Sequence, residues 1–82
     1  MSARIKYALA RFPEFSEAIK QYCADSRFFL NLCEDYGDAI EMLRRLEQYD
    51  ESSASKSIRM CRDLVDDLEQ EILLELEHSH GG

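Results

Sequence analysis

The cysteines Cys23, Cys33 and Cys61 and the histidines His78 and His80 are the side chains best suited to metal or nucleophile chemistry in this sequence. Structural zinc sites bring their ligands in close pairs such as C-x2–4-C. Here the spacing is C-x9-C and then C-x27-C, and each cysteine falls on or beside an apolar stripe. That pattern reads as three reduced thiols packed as small hydrophobes. Glu75 and His78 form one E-x-x-H step, whereas di-iron bundles need two such steps and further carboxylates. His78 and His80 would hold a transition metal only weakly, as any flexible pair of imidazoles does. A cysteine nucleophile needs an adjacent base and an orienting group, and both histidines sit far along the chain from any cysteine. Only Gly37 precedes the terminal glycine pair, so no phosphate-cradling loop is present. The expectation is a non-enzyme with no catalytic residue, no metal site and no cofactor.

Charge is the more informative feature. The 82 residues carry a net charge of −7, with 17 acids against 10 bases. Nucleic-acid binding requires clustered Lys and Arg, so nucleic acid is not an expected partner. From Asp63 to Glu77 there are seven acids and no base. Such a run is either a solvated face that keeps the protein dispersed or a docking surface for a basic protein partner. Arg4, Lys6, Arg11, Lys20 and Arg27 enter at the end of the molecule where this run lies, so part of the partner is expected to be internal.

Helical periodicity must position all these groups. Composition is globular, 45% hydrophobic and 33% charged with one proline, and strand alternation is nearly absent. A short segment over 2–11 ends at Phe12-Pro13, because proline biases its predecessor away from helical angles and fits a first helical turn. A first helix over 13–23 shows Phe15, Ile19, Tyr22 and Cys23 on one face. Asp25 or Ser26 can cap a second helix running to 49. Phe29, Leu32, Tyr36, Ala39, Leu43 and Leu46 step by three and four, and Cys33 and Ile40 widen the stripe. Gly37 costs about 1 kcal/mol in a helix interior relative to Ala and marks a close approach by a neighbour. The polar stretch 50–55 is the turn. A third helix over 55–77 carries Ile58, Cys61, Val65, Leu68 and Ile72, with Leu64 and Leu76 extending the face. The predicted fold is all-α: a short N-terminal helix before a long antiparallel helical hairpin, in a three-helix or dimeric four-helix-type bundle. One domain spans 1–77 and a flexible tail 78–82, with Leu43, Val65 and Leu68 in the core.

The order Phe12-Pro13-Glu14, Ile19, Asp25, Phe29, Leu32, Tyr36, Leu43 and Glu47, closed by Leu68-Glu69-Gln70-Glu71-Ile72, resembles the YdcH-like family of small bacterial helical-hairpin proteins. The likeness would cover about 12–76. It departs at Ala39-Ile40, where that family usually has Leu-Asp, and in an acidic last helix where the family is often lysine-rich. The resemblance implies a hairpin fold and no particular activity.

The expected function is a protein–protein interaction module acting through the hairpin, in the cytoplasm. The competing readings are a metal- or thiol-redox-responsive regulator using the cysteines and a peripheral membrane protein. Ile5, Ala8, Leu9 and Phe12 share a face beside Arg4, Lys6 and Arg11, a pattern found on anionic membranes. This segment is short and the rest of the chain acidic, so a membrane is not expected and packing on the bundle is. The helix over 13–23, about 11 residues long, covers only part of two helices more than twice its length. The turn half, around Ile40, Leu43, Leu46, Ile58 and Cys61, would then lack a cover, which a second copy would supply as a two-fold homodimer.

Overall fold

The computed structural model describes residues 3–49 and 56–80. It is all-α: a 3₁₀ turn at Ala3–Ile5, α1 (Lys6–Arg11), a second 3₁₀ turn at Pro13–Phe15, α2 (Ser16–Asp25), α3 (Arg27–Tyr49) and α4 (Lys56–His80). No strand occurs among the described residues. The expected turn at 50–55 lies outside them. α4 runs to His80, past the end expected at 77.

Local chemistry sets the boundaries. Phe12 leaves helical geometry at φ −124°, ψ 66°, and Pro13 opens the next turn, where its missing N–H costs nothing. Ser26, not Asp25, caps α3: its Oγ accepts from the Phe29 N–H at 3.2 Å. Such a cap is worth about 1 kcal/mol. Phe29 stacks on Tyr22 with ring centroids 4.2 Å apart, pinning α2 to α3 at this corner.

α3 is the axis of the molecule, packing against α4, α2, α1 and the first 3₁₀ turn. The core is built on Ile5, Ala8, Ile19, Phe29, Cys33, Tyr36, Ile72 and Leu76, all essentially inaccessible to solvent. Val65 is buried as expected, whereas Leu43 and Leu68 are half-buried and pack against the core from its edge. Ile72 and Leu76 lie further along α4, where α2 adds a third layer, and they take the central role instead.

The N-terminal segment packs on the bundle with its apolar face inward: Ile5, Ala8 and Phe12 are buried. The reason it docks is Gly37. A Cβ there would lie 2.5 Å from the Arg4 carbonyl oxygen and 3.0 Å from the Arg4 Cβ. Only a bare α-carbon lets the two backbones approach this closely. No described helix is long and apolar enough to cross a membrane.

Candidate functional site

The thiols are packing groups. Cys23 and Cys33 meet across the α2–α3 corner, where burial pushes both thiols up and Cys33 far above the usual range. The Glu34 carboxylate adds to both effects. Cys61 donates to the Ala39 carbonyl oxygen at 3.5 Å, and burial followed by the nearby Glu47 raises it as well. Nucleophilic attack and metal ligation both use the thiolate, which this environment suppresses. Among the described residues no three Cys, His, Asp or Glu side chains are placed to hold a metal ion. Glu75 of the E-x-x-H step is engaged elsewhere, accepting from the Tyr22 hydroxyl at 3.0 Å. His78 is exposed on α4.

The acids are partly used inside the molecule. Tyr7 donates to Glu41 at 2.9 Å, Tyr22 to Glu75 at 3.0 Å and Tyr36 to Glu69 at 2.6 Å, each bond joining different helices. Glu69 also accepts from Arg11 Nε at 3.1 Å, so one acid of α4 does meet an N-terminal base. Arg4 instead pairs with Asp38 on α3 at 2.8 Å, because the Gly37 contact holds it there. The guanidinium of Arg44 lies 5.3 Å from the centre of the Tyr7 ring. Tyrosine–glutamate bonding was not legible in the sequence, since it depends on how helices are rotated against one another.

These bonds give a pH signature. Burial, then the Glu69 bond, holds the Tyr36 phenol protonated well above its ordinary value of 10.0. A group whose value is raised by folding contributes fully below its unfolded value and loses that contribution as pH rises through its folded one. The raised thiols begin an alkaline loss of stability near their ordinary value of 9.0, and the Tyr36 contribution is lost in addition above about pH 10. Tyr36→Phe should cost about 1–2 kcal/mol at neutral pH, by removing a donor from half-buried Glu69, and flatten the alkaline decline. Urea midpoints across the alkaline range check this; curves that stay parallel would contradict it.

The feature left over is an open apolar groove between the turn halves of α3 and α4. It holds about 570 Å³ and is lined by Met42, Leu46, Ser57, Met60, Cys61 and Leu64. Met42 is 53% exposed, Met60 62% and Leu64 47%. The expected uncovered set thus needs correction. Ile58 and Cys61 are buried and Ile40 and Leu43 half-buried, because residues 3–12 fold back on α3 and the hairpin seam closes over the rest. The bare surface lies about half a turn round α3 from Gly37 and Arg44, at 100° per residue. Leu64, expected to extend the core face, belongs to this groove. Its sequence signal was the pair of four-residue steps, Met42 to Leu46 and Met60 to Leu64, flanking the seam. No family model matches the chain, and no curated protein or solved structure matches it either.

Proposed function

We propose that the protein is a non-enzymatic protein–protein interaction module whose binding surface is the groove between α3 and α4. The observation that carries this reading is the exposure of Met42, Met60 and Leu64 together along one groove beside the buried hairpin seam. Contiguous exposed apolar surface is costly to keep in water and marks binding sites. Methionine suits such a surface because its flexible thioether adapts to the partner. The acidic run of α4 is a weaker candidate for a basic partner, since Glu69 and Glu75 are already satisfied internally. The suppressed thiols weigh against a redox or metal-responsive regulator, and the inward apolar face of α1 weighs against membrane association. Three free, buried thiols fit a reducing compartment, the cytoplasm. The likeness to YdcH-like hairpin proteins belongs to the same proposal and adds no partner.

The test is a comparison of two charge insertions on α4. Met60→Glu places a carboxylate in the groove; Leu74→Glu places one at a site 62% exposed outside it. A hot-spot loss of 2 kcal/mol or more corresponds to at least about thirtyfold weaker binding. Proteins co-purifying with the wild type from its native cell should be lost with Met60→Glu and kept with Leu74→Glu, at unchanged helicity. Identical captured sets would overturn the groove as the binding surface.

A further inference from the structure

We propose that the groove is filled by a second copy of this chain, packed groove on groove with the two hairpins antiparallel about a two-fold axis near Met42 and Leu64. The inference rests on the reading of the groove as a binding surface and names its occupant. Charge order along the groove decides both the partner and the orientation. On α4 one exposed stripe reads Lys56, Met60, Leu64, Asp67, Glu71, in steps of four, four, three and four. On α3 the corresponding stripe reads Asp35, Asp38, Met42, Arg45, in steps of three, four and three. Such spacings keep residues on one helix face. The helices are antiparallel, as the Arg62–Glu47 and Tyr36–Glu69 bonds show. Both bases therefore lie on the turn side of the methionines and the acids on the far side.

A surface ordered base, apolar, acid is complementary to itself when turned end for end. An antiparallel two-fold sets Lys56 of one copy toward Glu71 of the other and Arg45 toward the acidic end formed by Asp38 and Asp35, with the Met42, Met60 and Leu64 side chains of both copies at the centre. A parallel pairing would set base against base and acid against acid. Two-fold contacts use the same patch on both copies, and this patch is built for that use. Among the described residues, Lys56, Arg45, Asp35, Asp67 and Glu71 have no ion-pair partner, so their charges stay available for it. Pairing about the groove also leaves the two acidic ends of α4 pointing away from one another.

The experiment is light scattering coupled to size exclusion over a hundredfold range of protein concentration at low salt. The wild type, Met60→Glu, Lys56→Glu, Glu71→Lys and the Lys56→Glu/Glu71→Lys double variant are compared, with circular dichroism reporting the fold. All three positions are exposed, so helicity should be unchanged. The wild type should reach the mass of a dimer, Met60→Glu and each single reversal should remain monomeric at that concentration, and the double reversal should recover the dimer. A dimer indifferent to Met60→Glu, or one that the double reversal does not restore, would overturn the arrangement. A wild type monomeric throughout would overturn self-association, and the co-purification test would still decide whether the groove binds another protein.

Discussion

Replacing Phe29 with alanine should cost about 3–5 kcal/mol, the usual loss for a fully buried aromatic side chain. A chain of 82 residues commands a total of only about 4–12 kcal/mol, so this single change should bring the protein near its unfolding midpoint. Three effects converge there. The ring fills the α2–α3 corner, its stacking on Tyr22 is lost, and the capped start of α3 loses the side chain that the cap positions. The neighbouring ring supplies the control. Phe28 is 60% exposed, and Phe28→Ala should stay within about 0.5 kcal/mol, as most surface changes do. Urea unfolding of both variants checks the pair; comparable losses would mean that α3 is rotated from the orientation described.

Gly37→Ala should reverse sign with its surroundings. In an exposed helix interior this change stabilises by about 1 kcal/mol. In the intact protein the new methyl would meet the Arg4 carbonyl oxygen at 2.5 Å, a backbone atom that cannot swing aside. The N-terminal segment must then lift. Ile5 loses its burial, worth about 1.5–3 kcal/mol for such a side chain, and a net destabilisation of about 0.5–2 kcal/mol remains after the helical gain. The Ile5→Asp background tests the explanation, because a carboxylate forced into that site should already have released the segment. There Gly37→Ala should stabilise by about 1 kcal/mol. Denaturant curves for the four proteins of this cycle decide it. A destabilisation in both backgrounds would place the cost within α3 and not at the contact.

Most of the scaffold was readable from residue types. Steps of three and four through Phe29–Leu46 and Ile58–Ile72 gave the two long helices, because an amphipathic stripe admits few other conformations. Phe12-Pro13 gave the break, and a glycine in an otherwise sound helix pointed to a close neighbour. Rotation and coverage were less accessible. Leu68 follows the heptad as faithfully as Ile72, yet only Ile72, nearer the Tyr22–Glu75 bond that ties α2 to α4, is sealed. Met42 and Met60 fall just outside the seam, where the sequence alone does not say which neighbour covers a residue. The docking of residues 3–12 on one side of α3 makes the opposite side the bare one. The uncovered apolar surface was therefore expected in the right half of the hairpin but on partly the wrong residues.

The dependence of the N-terminal segment on Gly37 also orders events during synthesis. Tyr7 and its acceptor Glu41 are separated by 34 residues, and the elements between them offer α1 only part of its seat. At about 5–20 residues per second, translation imposes a delay of about 2–7 s before that acceptor follows. Throughout this interval Ile5, Ala8 and Phe12 have no complete α3 to close upon. The hairpin is the reverse case, since α3 and α4 are consecutive along the chain and zip together through local contacts, which favours fast folding. The segment made before α3 is thus the one whose docking must wait, and a nascent chain carries an uncovered apolar face until its glycine notch has emerged.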